Sequence, residues 1–179
     1  MHSPLRPSGR CYTFHGRHLH QHRMLKEGSK APAFTLDADD GSRVSLSSLA
    51  GRPVVLYFYP KDDTSGCTME ACEFRDLFPR FEKGSAVILG VSPDDVASHV
   101  RFKAKYSLPF LLLADTDKEV AKKYGVWKEK SMYGRVYMGV ERTTFIIDQT
   151  GKIAKIFAKV KPAGHAAEVD VALAELSHR

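Results

Sequence analysis

Two cysteines, Cys67 and Cys72, stand five residues apart in a chain of 179 residues that holds only three. Such a pair is suited to redox chemistry. Zinc would need further cysteine or histidine ligands at metal-site spacing, and none lies near. The residues before Cys67 sharpen the point. Tyr59 and Pro60 close an apolar run, Lys61–Gly66 read as a polar loop, and a helical stretch begins at about Cys67. A thiol in the first turn of a helix faces free N–H groups and the positive end of the dipole, which favour the thiolate. A thiolate is the nucleophile needed to attack a peroxide oxygen. The hydroxyl of Thr64 could hydrogen-bond the sulfur or a bound peroxide, and Gly66 lets substrate approach the backbone closely. The competing account makes Cys67 a small apolar core residue, a common fate of free cysteine. The polar loop and the second thiol weigh against it.

The spacing also makes a structural demand. Residues five apart on an ideal α-helix are separated by about 140° around the axis and roughly 8.6 Å at Cα. A disulfide needs Cα atoms within about 7 Å. If both cysteines lie on that helix, they cannot bond while it is intact. The expected course is a sulfenic acid on Cys67, opening of the first helical turns, and attack by Cys72.

The elements that must hold this site alternate between strand and helix. Val54–Tyr59 is a continuous apolar run suited to a buried central strand, and Ala86–Ser92 is a second. The helix from Cys67 is expected to end or kink near Pro79. Ser92-Pro93-Asp94-Asp95 reads as an N-cap with proline at the first helical position, starting a helix to about Tyr106. His99 on that helix is expected at the surface. Leu111–Ala114 reads as a short strand and Asp117–Tyr124 as a short helix stopped by Gly125. Arg142–Asp148 and Lys152–Lys159 flank a turn at Gln149-Thr150-Gly151. Gly164 to about Leu176 forms a closing helix with Val169, Ala172, Leu173 and Leu176 on one face. Near the front, Phe34–Leu36 and Arg43–Leu46 form a small hairpin around Asp39-Asp40-Gly41. Trp127 and Tyr133 are expected in the core. The sum is an α/β fold with a mixed central sheet flanked by helices, one domain over residues 24–179.

Residues 1–23 carry four arginines and no acid, so +4 of the formal net charge of +6 belongs to them and +2 to the rest. They lack helical or strand periodicity and are expected to be disordered. They could be an organellar transit peptide, but a start at Met24 is the preferred account. A basic stripe for nucleic acid is not evident on the remainder, and no apolar run approaches the roughly 18 residues of a membrane span.

Pro60, Thr64 and Cys67 match the Pro-x-x-x-Thr-x-x-Cys signature of peroxiredoxins, and the wider run YFYPKDDTSGCTMEACEFRD resembles the bacterioferritin comigratory protein (peroxiredoxin Q) subfamily. The similarity continues through LGVSPDD, KYSLPFLLLADTDKEVAKKYGVW and MYGRVYMGVERTTFIID, covering about residues 25 to 176. This resemblance implies a thioredoxin-like fold with an N-terminal β-hairpin extension. It implies that Cys67 is the peroxidatic cysteine and Cys72 the resolving one. Thr64 and Arg142 would hold the peroxide, and Pro60 would shield the thiolate. It further implies peroxide substrates, reduction by thioredoxin or a glutaredoxin-like dithiol, and a monomer. Sulfur supplies both electrons, so no cofactor is expected, and the expected location is cytoplasmic. Ser65 departs from the proline many relatives carry there, which removes a φ restraint from the loop. Two other readings remain: a thioredoxin-type disulfide oxidoreductase, which would favour Cys-x-x-Cys, and a redox sensor or holdase using the same thiol switch.

Overall fold

The computed structural model describes residues 24–177; the expectation of disorder over residues 1–23 lies outside them. Among these residues there are nine strands and four α-helices, and all but one hairpin follow the alternation read from the sequence. Seven strands form one sheet, and β3 (Val54–Phe58), an interior strand, is buried at every position. Val54, Val55, Leu56, Tyr57 and Phe58 are β-branched, aromatic or large, the types that suit a strand covered on both faces. β3 runs parallel to β4 (Val87–Ser92), and β4 runs parallel to β5 (Leu111–Ala114). On its other side β3 is antiparallel to β8 (Thr143–Ile147), which pairs with β9 (Ile153–Phe157). The front hairpin, β1 (Thr35–Ala38) with β2 (Arg43–Ser45), joins the far edge through β5. The order is β2-β1-β5-β4-β3-β8-β9.

Side chains of β3 alternate between two apolar clusters. Leu56 and Phe58 join Phe34, Leu89, Leu113, Tyr124, Phe145 and Ile147 on one face. Val55, Tyr57 and Tyr59 join Cys67, Phe74, Phe81, Phe102, Phe110 and Ile146 on the other. Each large side chain so buried contributes ~1.5–3 kcal/mol of transfer free energy. Gly90, opposite Tyr57 in the β3–β4 pair, is needed for its smallness: a Cβ there would lie 2.7 Å from the Tyr57 Oη.

Three helices cover the second cluster. α1 (Ser65–Lys83) carries both cysteines, and Pro79 lies inside it, so of the two expectations, an end or a kink near Pro79, the end is corrected. Proline forfeits one backbone bond there, but Phe74 and Phe81 are buried on either side and hold the helix onto the sheet. α2 (Val96–Tyr106) starts later than expected: Asp95, not Ser92, is the N-cap, accepting from the Ser98 N–H at 2.8 Å. Ser92 instead ends β4 and donates to Asp94 Oδ2 at 2.7 Å. α4 (His165–Ser177) closes the chain with Val169 and Ala172 buried. On the other face α3 (Glu119–Lys123) is shorter than its sequence signal.

One element was not anticipated. β6 (Trp127–Met132) and β7 (Arg135–Val140) form a separate two-stranded hairpin. Tyr133 and Gly134 both have positive φ, +50° and +75°, as a tight hairpin turn requires. Tyr133 is therefore at the tip and 98% exposed, contrary to its expected place in the core, whereas Trp127 packs against the core. Among the described residues no helix is long and apolar enough to cross a membrane.

Candidate active site

The site lies where β3 ends and α1 begins, outside the carboxyl end of a central strand. Thr64 is the N-cap residue of α1 with extended backbone, so Cys67 falls in the first turn as expected. Register brings the next partner. Phe58 opposes Thr143 across β3 and β8, so one step further out Arg142 stands level with Tyr59 and the start of the loop. Its guanidinium turns inward: Nη2 donates to Cys67 Sγ at 3.2 Å, and Nη1 donates to Glu70. Cys67 is 1% exposed, so this hydrogen bond acts on a sulfur largely withdrawn from water. A charge-assisted hydrogen bond is stronger in such surroundings than it would be in water.

Glu70 lies three residues after Cys67, on the same face of α1. It is wholly buried, and its second oxygen has no partner among the described residues. Burial pushes its carboxyl up to about 7, against the downward pull of Arg142. Burial also opposes the charge on Arg142, but Glu70 and Cys67 outweigh it and hold the guanidinium more firmly protonated than usual. Lys130 on β6 is pushed down by burial and then by Arg142, while Glu141 and Cys67 act in the opposite sense.

Other sequence candidates are placed less directly. The Thr64 hydroxyl donates to the Lys61 carbonyl at 3.0 Å rather than to the sulfur. Its proton is thus committed, and its oxygen keeps the capacity to accept. Pro60 is half-buried just past the end of β3. Cys72 is half-buried, five residues along an unbroken α1 from Cys67, and both thiols are free. The geometric condition set by the sequence is met: the intact helix keeps them apart.

The loop has a second anchor that sequence reasoning missed. His99, expected at the surface, is fully buried. Its Nδ1 lies 2.8 Å from Asp62 Oδ2 and its Nε2 3.1 Å from the Leu113 carbonyl oxygen. Tyr59 and Ser98 also donate to the Asp62 carboxylate, at 2.6 and 2.7 Å. Burial works against the Asp62 charge, but the hydrogen bonds from His99, Tyr59 and Ser98 outweigh it and keep the carboxyl below its ordinary range. The Asp62 N–H donates to Asp94 Oδ2 at 2.9 Å, so the loop before Cys67 is pinned to the start of α2 by backbone and side chain together.

The model of the AhpC/TSA family matches residues 28–156. The chain belongs to this family. A Bacillus subtilis relative, peroxiredoxin Bcp, is 49% identical over 155 residues, covering 87% of this chain and 99% of its own. The structure resembles that of a Xylella fastidiosa PrxQ mutant with TM-score 0.81 and 38% identity, over 86% of this chain and 98% of that one. It also resembles a Xanthomonas campestris bacterioferritin comigratory protein, with TM-score 0.80 and 40% identity over 85% and 99%. The thioredoxin-like peroxiredoxin fold implied by the signature residues is therefore the observed one. Within this peroxiredoxin, the residues the signature could not reveal are Glu70, Asp62 and His99. Of these only Glu70 had a legible cue, its helical spacing from Cys67.

Proposed function

We propose that this peroxiredoxin reduces hydroperoxides through Cys67 and regenerates it through Cys72. The Cys67 thiolate attacks the terminal oxygen of R–OOH. An S–O bond forms, the O–O bond breaks, and the departing alkoxide takes a proton to give R–OH. Cys67 is left as a sulfenic acid. Arg142, already on the sulfur, is positioned to stabilise charge as it moves from sulfur to the leaving oxygen. The Thr64 oxygen accepts from the O–H of the peroxide, and Pro60 limits water at the mouth. Cys72 then attacks the sulfenic sulfur; the S–S bond forms, the S–O bond breaks and water leaves. A dithiol protein such as thioredoxin returns both thiols. The net reaction is R–OOH plus a dithiol giving R–OH, water and a disulfide. The reading extends to one domain over residues 24–179, acting as a monomer in the reducing cytoplasm.

The single observation that carries this reading is the Arg142 hydrogen bond, 3.2 Å long, to a buried sulfur in the first turn of α1. The test is peroxide consumption coupled to thioredoxin, thioredoxin reductase and NADPH. The wild-type protein is expected to turn over many times. Cys67→Ser is expected to be inert, and Cys72→Ser to be oxidised once without efficient recycling. Turnover by Cys67→Ser, or a wild-type protein oxidised only stoichiometrically, would overturn the assignment; the latter result would favour a sensor.

A further inference from the structure

The resolving step requires the first turns of α1 to open, so the contacts that hold those turns shut set its rate. Besides Cys67 itself, two side chains on that stretch reach outside the helix to neighbouring structure. Glu70 reaches Arg142 and belongs to the chemistry. Glu73, directly after Cys72, does not. Both of its carboxylate oxygens lie 3.0 Å from the Gly164 nitrogen and accept its N–H.

Gly164 sits in a part of the molecule that has reason to stay still. Its φ of +80° is one that glycine adopts readily. Its carbonyl accepts the Glu168 N–H at 3.3 Å, starting α4, whose His165, Ala166, Val169 and Ala172 are buried. The loop before it is tied to the site wall: the Val160 N–H donates to the Arg142 carbonyl at 2.9 Å. Pro162 Cγ lies 3.4 Å from where a Cβ on Gly66 would stand. The segment from Val160 to Gly164 thus spans from the Cys67 end of α1 to the Cys72 end, and Glu73 fastens the far end.

We propose that Glu73 is a positioning residue for the resolving step, its carboxylate a latch that holds the Cys72 end of the opening segment against the loop before α4. The proposal rests on the reading that Cys72 resolves Cys67. With the latch closed, Cys72 stays on the helix, out of bonding reach of Cys67. Released, the segment frays further and the second sulfur reaches the sulfenic acid sooner. The latch therefore sets how long the sulfenic acid lasts without touching the sulfur that reacts first.

The test follows single turnovers of wild type, Glu73→Ala and Glu73→Gln. Each is oxidised with one equivalent of hydrogen peroxide and quenched on the millisecond scale. The peptide carrying Cys67 and Cys72 is then read by mass for sulfenic acid and disulfide. Glu73→Ala is expected to form the Cys67–Cys72 bond about five-fold faster, equivalent to ~1 kcal/mol. Alanine favours helix more than glutamate, so this acceleration cannot come from helix propensity. Glu73→Gln keeps an acceptor for the Gly164 N–H and is expected within about two-fold of wild type, because a single charged hydrogen bond is worth more than its neutral counterpart only by a modest factor. The rate of sulfenic acid formation is expected to match wild type in both variants. Disulfide formation in Glu73→Ala no faster than wild type would overturn the latch. So would Glu73→Gln matching a fast Glu73→Ala, since loss of charge beside Glu70 would then be the cause. If the wild type itself forms no Cys67–Cys72 bond, the resolving assignment fails first.

Discussion

One guanidinium serves two acceptors at the reacting sulfur, and its removal should be felt as lost transition-state stabilisation. Arg142→Met is expected to slow the oxidation of Cys67 by about 10²-fold, the usual weight of a preorganised donor in an enclosed site. Stopped-flow reaction with hydrogen peroxide measures it. Glu70 makes a different prediction, one of pH. Its carboxyl stands at about 7 when folded against an ordinary 4.5, so between those values the folded state keeps a proton the unfolded state has released. Stability is fully present below about 4.5 and is lost as pH rises through about 7. Glu70→Gln should flatten that fall, as urea unfolding at pH 5 and pH 8 would show. These residues were unequally legible. Cys67 declared itself by the loop before it and the thiol after it. Arg142, on sequence pattern alone, is an ordinary strand-end residue; a register between β3 and β8, 85 positions apart at Phe58 and Thr143 in no local pattern, brings it to the sulfur. Glu73 offers no cue, because its partner is a backbone amide far along the chain.

On the proposed mechanism, helix α1 is the element that must be both formed and broken. Oxidation with one equivalent of peroxide is expected to lower the far-ultraviolet helix signal, and a dithiol to restore it. Unchanged circular dichroism between the two states would contradict the opening. The sequence marked β3, β4, β5 and the β8–β9 hairpin to within a residue or two, because continuous apolar runs of strand length have few other uses in a chain like this. The β6–β7 hairpin escaped because its strands pair only with each other and stay mostly exposed instead of entering the core. Lys128, Glu129, Lys130 and Ser131 give no apolar alternation, and Tyr133-Gly134 is a weaker turn signal than Asn-Gly. Ser92 misled for a related reason: a serine before proline and two acids looks like a helix start, but here its hydroxyl helps tie β4 to the catalytic loop.

Across the whole molecule, the largest hidden feature is the buried His99–Asp62 pair, which joins the loop before Cys67 to α2 and β5. Deleting His99 leaves the buried Asp62 carboxylate without one of its three side-chain partners. His99→Ala is expected to cost ~3–5 kcal/mol of unfolding free energy in denaturant titrations. No periodicity could have foretold this, since a histidine on a helix is as readily solvated as buried; only the packing of three elements together decides. The seven-strand order is likewise a property of the assembled fold. Alternation of strand and helix suggested a mixed sheet but not that the front hairpin would attach through β5.

Thr64 stands at the N-cap of α1, yet its hydroxyl turns back to Lys61 and caps no helical N–H. The helix therefore lacks a stabilising device worth ~1 kcal/mol at the end that has to fray. An engineer seeking heat resistance would strengthen that end first. The result should be a tougher protein with a shorter working life: a sulfenic acid kept waiting meets a second peroxide and goes on to the sulfinic acid, from which a dithiol cannot recover it. Thermal hardiness and endurance against its own substrate pull this fold in opposite directions.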